Sequence, residues 1–450
     1  MPSSPVSALL AIDGGKPVRT EPFPAWPCSG PAEAAAIADV LASGKWGSTH
    51  GTRVAEFEAA FAAYQHADYG SCVANGTVAL VAALQALGVG HGDEVVLPPY
   101  TFIASAAAVL LAGAVPVFAD ISAGTHLIDP KSIEASITPR TRAIMAVHIA
   151  GRPCDMDALL QIGERHGIPI IEDAAQAHGA SWRGRRVGAI GAVGTFSFQT
   201  SKNISAGEGG AIVTNDKRLA DEVYSLVNVG RVRGGGWYQH ETVGYNLRLT
   251  EFQAAILAAQ LDRHPAQQAT RAANAELLAT LLRTSEPARL PDLTPRYVPP
   301  PSLTPPPSLT PPPSATSPAT PPSLTPPSIA LPSVVPPDLI LPDDDPAVTE
   351  HGLHLFLFQV PGRDRDAFVK ALSAEGIPCH TGYTGLHRNA ALRRRATELA
   401  KAAGQRLPPW DCPVADIVAA QTVWLPHHAL LGTAEDTADI ATAIQKVLRA

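Results

Sequence analysis

Between about residues 70 and 215, short apolar runs alternate with amphipathic stretches, and no other feature restricts the fold as much. Parallel strands buried on both faces read as near-continuous apolar runs, and each crossover to a parallel neighbour needs about a dozen residues or more, usually a helix. The runs EVVLPP (94–99), VPVFADI (115–121), RAIMAVHI (142–149), IPIIED (168–173), GTFSF (194–198) and GAIVT (210–214) fit that description. TVALVAALQALG (77–88) and MDALLQIGERHG (156–167) supply helices between them. The pattern predicts an α/β core around a mostly parallel, buried sheet.

Beyond that core, the amphipathic segment LTEFQAAILAAQLDRH (249–264) and a long helix over about 265–283 lead outward. A second, smaller α/β unit runs from HGLHLFLFQV (351–360) to a last helix over 434–449. The two are interrupted by a stretch, 295–346, that holds 20 of the chain's 43 prolines and repeats SLTPPP. Such a stretch cannot keep a hydrogen-bonded ladder or a helix, so it reads as an extended or disordered spacer. A docking ligand for a proline-binding module is the other reading; its PxxP grammar is present, but the flanking basic residues are not. The expected organisation is an N-terminal arm (1–30), a large α/β domain (31–264), a linking helix (265–292), a proline-rich insertion (293–347) and a small C-terminal α/β domain (348–450).

A chain of 450 residues exceeds one ordinary core, and its 46 % of apolar residues suffice for two. A net charge of −7 without any basic block argues against nucleic acid or an anionic membrane as partner. The five cysteines, Cys28, Cys72, Cys154, Cys379 and Cys412, are scattered without CxxC spacing, which speaks for reduced thiols in a cytoplasmic protein and against a disulfide framework or zinc site. The start, MPSSPVSALLAIDGG, has no basic region and no apolar run long enough for a signal or a span; a disordered leader followed by a first ordered strand is expected.

Several stretches carry chemistry. In IIEDAAQAHGA (170–180), an apolar strand delivers Asp173 at its carboxyl end, where open α/β sheets bind ligands, and Gln176 and His178 add polar groups; the plainer reading of Asp173 is a helix N-cap. VANGTVALVAAL (73–84) places Asn75, Gly76 and Thr77 at a helix start, either an ordinary cap or a phosphate site. It is not a Walker A loop, since no GK[ST] motif is present there. LPPYTFIAS (97–105) offers Phe102 for core packing or for stacking a planar cofactor. GAIGAVG (188–194) precedes a strand-like run rather than a helix, so a dinucleotide site is disfavoured; adjacent His427 and His428 suit a pocket or structural role better than a metal. Finally, FSFQTSKNISAGEGG (196–210) isolates Lys202 among small hydroxyl, amide and apolar residues, with Glu208 the one other charge. A strand-end aspartate, a helix-start anion site, an aromatic plate, the Ser197 hydroxyl and an isolated lysine are the parts needed to hold pyridoxal 5′-phosphate (PLP), whose aldehyde forms a Schiff base with lysine.

With NGTVAL, PPYTFIAS, EDAAQAHGA, GTFSFQTSKNISAGEGG and GYNLRLTEFQAAI, the chain resembles the DegT/DnrJ/EryC1/StrS family of sugar and cyclitol aminotransferases, within the fold type I, aspartate aminotransferase-like enzymes. The resemblance covers all but the proline-rich insertion. It implies a large domain with a mostly parallel seven-stranded sheet and a small C-terminal α/β domain. It implies that Lys202 bonds the cofactor and then shuttles a proton, that Asp173 keeps the pyridine nitrogen protonated, that Gln176 binds the phenolic oxygen and that Phe102 stacks on the ring. Gly76, Thr77 and Ser197 would hold the phosphate. Asn246 would enter from a neighbouring subunit, making a homodimer with shared sites, with GRVRGGGW (230–237) either a mobile loop near that interface or a plain surface hairpin.

AIDGGKPVRTEPFPAWP and VWLPHHALLG look similar to the cyclitol branch and to 3-amino-5-hydroxybenzoate synthases, which implies a keto-cyclitol or keto-sugar substrate with L-glutamine or L-glutamate as donor. The alternatives are a nucleotide-sugar aminotransferase, a sugar dehydratase, whose known versions replace the lysine with histidine, and a non-catalytic scaffold, which has no need of a buried lysine opposite a buried aspartate. The insertion lies where relatives have a short connection; an exposed loop grows at modest entropic cost, though it could sit over the substrate entrance.

Overall fold

The structure, a computed structural model, describes residues 9–283 and 339–450. The expected leader up to residue 8 and the insertion up to residue 338 lie outside the described residues. The strands are β1 (Tyr69–Val73), β2 (Glu94–Leu97), β3 (Val115–Phe118), β4 (Thr141–Val147), β5 (Ile170–Asp173), β6 (Ser181–Trp182), β7 (Arg185–Arg186), β8 (Val193–Ser197), β9 (Gly210–Thr214), β10 (Val348–Glu350), β11 (Leu355–Gln359) and β12 (Thr422–Pro426). Seven of them form one sheet in the order β1-β9-β8-β5-β4-β2-β3. Neighbours from β8 to β3 run parallel, and β9 is antiparallel to both β8 and β1. The predicted mostly parallel seven-stranded sheet is thus observed. It places β5, the strand ending in Asp173, at its centre.

Helices Gly76–Ala86, Ile103–Leu111, Met156–His166 and Lys217–Val227 cover the sheet. The first is apolar nearly all round, with seven of its eleven residues buried, because it lies between the sheet and its neighbours. A second apolar cluster gathers β11, β12 and the helices Arg365–Ala374 and Ala434–Arg449.

One helix, Glu251–Arg283, contributes to both clusters: Ala254, Leu257 and Leu261 to the first, Leu277, Leu278, Leu281 and Leu282 to the second. No break falls between 264 and 265, where the sequence pattern divides the large domain from a linking helix. Pro265 lies inside the helix, removing one backbone N–H, and the packing along both flanks carries the helix through it.

Two further expectations are corrected. The first ordered element is a 3₁₀ turn, Ala11–Asp13, closed by Gly14 at φ 92°, rather than a strand. Its apolar run is too short to pair, and the arm is anchored instead by the buried Glu375 carboxylate, which accepts from Ala11 N (2.8 Å) and Val18 N (3.0 Å). Residues 339–347, assigned to the insertion, are packed: Leu339 and Leu341 lie against the second cluster, Ile340 pairs with Gln359, and Asp343 N donates to Gly124 O at 2.7 Å. The apolar residues between the last prolines make this docking worthwhile.

Candidate active site

Asp173 closes β5 and is buried. The chain turns after it without forming a helix, so it caps nothing. Its Oδ2 accepts from Ser105 Oγ at 2.8 Å and its Oδ1 from Ala175 N at 3.2 Å; Ser105 Oγ is itself bonded to Thr101 Oγ1 at 2.9 Å. Burial pushes the Asp173 carboxyl above its usual range, while Ser105, the Ala175 N–H and the positive charge of Lys202 pull against that.

The Gly76–Ala86 helix starts beside the end of β8. Asn75, in extended backbone, caps it by accepting from Val78 N at 3.0 Å. The cap serves Val78, whereas Gly76 and Thr77 stand at the helix start, where backbone N–H groups have no carbonyl of the helix to bond. Contact here is close: a Cβ on Gly76 would lie 2.8 Å from Ser197 Cβ, and one on Gly210 would lie 2.6 Å from the Asn75 carbonyl carbon. Helix start, β8 end and β9 start thus form one cradle with the Ser197 hydroxyl at its floor. The cap reading is observed, at Asn75, and it leaves the N–H groups of Gly76 and Thr77 to the residues beside them.

Lys202 lies in the turn between β8 and β9, half-buried. Burial lowers its amine to about 8, and the Asp173 charge acts in the other direction. Beside it, His178 is fully buried and is lowered to about 3, first by burial and then by the charge of Lys202.

Gln176 presents both ends of its amide: Oε1 accepts from Ala150 N at 2.7 Å, and Nε2 donates to the Tyr383 hydroxyl at 3.1 Å. Tyr383 packs edge-on against Trp424 (4.4 Å between centroids) and lies 6.1 Å from the Phe102 ring. Phe102 is 53 % exposed, which excludes the core-packing reading and leaves a ring face open. Tyr383 and Ser105 were not singled out by the sequence, although Ser105 closes the stretch LPPYTFIAS; Tyr383 sits in no stretch whose local pattern marks it.

Asn246 is exposed and pairs with Asn228 on the surface, so this chain does not bring it to the other candidates. The glycine-rich stretch after residue 230 is a hairpin, with Arg231 paired to His240 and with exposed Trp237 and Tyr238 at its tip. The GAIGAVG glycines wrap a carboxylate: Gly188, Ile190 and Gly191 donate backbone N–H to Glu172 at 2.6–2.8 Å. His427 bonds the carbonyl of Ser201, a structural role.

Residues 27–298 match the DegT/DnrJ/EryC1/StrS aminotransferase family. The chain belongs to this family. It is 39 % identical over 98 % of its length to an L-glutamine:2-deoxy-scyllo-inosose aminotransferase of Streptomyces fradiae, covering 97 % of that protein. It is 35 % identical to a 3-amino-5-hydroxybenzoate synthase of Amycolatopsis mediterranei, over 91 % of this chain and 93 % of the relative. The crystal structure of 3-amino-5-hydroxybenzoic acid synthase superposes with a TM-score of 0.79 at 33 % identity, over 96 % of this chain and 100 % of the other. As a DegT/DnrJ/EryC1/StrS member the protein is an aminotransferase with the fold type I architecture, and its central sheet carries the candidate residues at the carboxyl ends of β5 and β8. Among the described residues no helix is long and apolar enough to cross a membrane.

Proposed function

We propose that the protein is a PLP-dependent aminotransferase that moves an amino group from L-glutamine or L-glutamate to the ketone of a cyclitol or sugar in two alternating half-reactions. The donor leaves as its 2-oxo acid, taking its new oxygen from water, and the ketone oxygen leaves as water. The observation that carries this reading is the meeting of three features at one end of the sheet: an amine lowered to about 8, a buried carboxylate and a glycine-floored cradle. The residues fit the cofactor. The cradle at Gly76 would be filled by any Cβ, and the N–H groups of Gly76 and Thr77 with the Ser197 hydroxyl beside them would hold the phosphate.

When bound, PLP supplies an aldehyde that takes up the amino group and a ring that accepts electrons from the substrate carbon. Asp173, held by Ser105 and Ala175 N, would keep a proton on the pyridine nitrogen. Gln176, its carbonyl end fixed by Ala150 N and one amide hydrogen by Tyr383, would turn the second hydrogen toward the phenolic oxygen. Phe102 would cover a ring face. Lys202 would hold the cofactor at rest and afterwards, in each half-reaction, move a proton between the substrate carbon and the cofactor, a task suited to a group titrating near 8. Asn246, exposed here, would enter the site of a second copy, giving a homodimer with shared sites.

The Streptomyces fradiae relative supports 2-deoxy-scyllo-inosose with L-glutamine as the first pair to try, and the 3-amino-5-hydroxybenzoate synthase likeness supports an aromatic-precursor ketone as the second. The test is the visible spectrum of the PLP-loaded protein before and after L-glutamine and then L-glutamate, with each ketone added last. A yellow band bleached by a donor and restored by a cyclitol ketone is the expected result. A band that no donor alters would overturn the reading.

A further inference from the structure

The turn that carries Lys202 is secured from outside the central sheet. Within the turn, Lys202 N–H donates to Gln199 O at 2.8 Å, Ser201 N–H to the Gln199 side chain at 2.8 Å, and Thr200 N–H across to Gly207 O at 2.9 Å. The residues on either side of the lysine are then taken up by three distant segments. Trp26, in the N-terminal arm, donates its indole N–H to Thr200 O at 3.0 Å. His427, after β12, bonds Ser201 O through Nε2 at 3.1 Å. Asn203 donates Nδ2–H to Gly352 O at 2.7 Å, and its Oδ1 meets His354 Nδ1 at 3.1 Å.

These contacts fix the protonation of both imidazoles. A carbonyl oxygen only accepts, so His427 carries its hydrogen on Nε2. Asn203 Nδ2 is spent on a carbonyl, so its oxygen faces His354, which therefore donates from Nδ1. Burial holds both rings well below the usual histidine range, helped by the charge of Lys202 at His354 and of Arg271 at His427. The three rings also support one another: Trp26 meets His427 edge-on at 4.5 Å, His427 stacks on His354 at 5.6 Å, and the Arg271 guanidinium lies 5.7 Å from Trp26. The backbone N–H of His354 reaches Ala150 O at 3.0 Å, so the same assembly touches the residue that fixes Gln176.

We propose that Trp26, His354 and His427 are positioning residues for Lys202, holding the carbonyls of Thr200 and Ser201 before the lysine and the side chain of Asn203 after it so that its amine keeps one place relative to Asp173. The inference rests on the aminotransferase reading of Lys202. All three come from the arm and the smaller unit, so the reach of the lysine depends on those parts being docked. The charged and titratable groups around the amine are Asp173, His178 and His354, with Arg271 acting on the two histidines from behind. Loosening the turn admits water to the amine and raises its titration midpoint toward that of an ordinary lysine.

The test uses the full chain loaded with PLP, with Trp26→Phe, which keeps a ring against His427 and deletes one N–H, together with His427→Leu and His427→Gln. Three quantities are read: kcat and KM for L-glutamine, the pH midpoint at which the Lys202-dependent visible band forms, and bound PLP. Trp26→Phe and His427→Leu are expected to retain PLP, to lose about tenfold or more in kcat with KM little changed, and to form the band at higher pH. His427→Gln, whose amide N–H can reach the same carbonyl, is expected to recover part of both losses. Should His427→Leu not fold, Trp26→Phe and His427→Gln decide the matter. A midpoint and kcat matching wild type in Trp26→Phe and in the His427 variants would overturn the positioning role alone. A wild-type protein without any band that Lys202→Ala abolishes would overturn the aminotransferase reading, and this inference with it.

Discussion

A Cβ placed on Gly76 would lie 2.8 Å from Ser197 Cβ, so the helix start and the end of β8 touch at a spacing that only a missing side chain allows. Gly76→Ala is expected to leave folding intact, since alanine is the better helix former, while moving the cradle apart. Loss of one charge-assisted hydrogen bond to a phosphate corresponds to about ten- to a hundredfold weaker PLP binding. Equilibrium titration of the protein with PLP measures it.

The lowered amine of Lys202 has a second, thermodynamic reading. Its value is about 8 in the folded chain and 10.5 ordinarily, so between these limits the unfolded state binds the extra proton. Folding stability therefore gains from this residue as pH rises from about 8 to about 10. Lys202→Met is expected to lose turnover and yet to be the more stable protein at pH 7, with the difference shrinking across that window. Urea denaturation at several pH values checks the sign.

Ser105→Ala removes the 2.8 Å donor from Asp173 and leaves burial less opposed, so the carboxyl is protonated over a wider pH range. The expected loss in kcat is about tenfold. Asp173→Ala, which removes the charge altogether, should cost about a hundredfold or more. Steady-state kinetics on the same donor and acceptor pair distinguish the two.

How far such roles can be read in advance depends on whether local pattern encodes them. β2 to β5, β8 and β9 were legible because buried strands are apolar runs bounded by turns; Asp173 closes one of these runs and Lys202 follows another, whereas Gly76 was marked by the helix that it opens. β1, YGSCV, was not, for a glycine and a serine interrupt it, and the two-residue strands β6 and β7 leave no periodicity at all. Whether Asp173 was a cap or a ligand depended on the path of the backbone beyond β5, which turns instead of coiling. Tyr383 reaches Gln176 from 207 residues away, and His354 reaches Asn203 from 151. Such partners are set by how the smaller unit docks, and no stretch of sequence records that.

Tyr383→Phe tests one of these contacts. It deletes the hydroxyl that receives Gln176 Nε2 and keeps the ring against Trp424. A loss of about fivefold in kcat is expected, with a shifted absorption maximum of bound PLP, because Gln176 is freed to turn. An unshifted spectrum would contradict the role given to Gln176.

Glu172, one residue before Asp173, is fully buried and accepts from Gly188, Ile190 and Gly191 N, with His148 Nε2 at 3.0 Å. Glu172→Ala orphans these donors, and a cost of about 3–5 kcal/mol in unfolding free energy is expected. Urea melts of the two proteins measure it.

The Glu251–Arg283 helix has a consequence for how such chains can be recombined. Its first turns belong to one core and its last turns to the other. A chimera joined at either end of the helix would set one half of it against a foreign core, whereas a junction midway leaves each half with the core it was fitted to. Gene fragments swapped between relatives should therefore meet inside the helix.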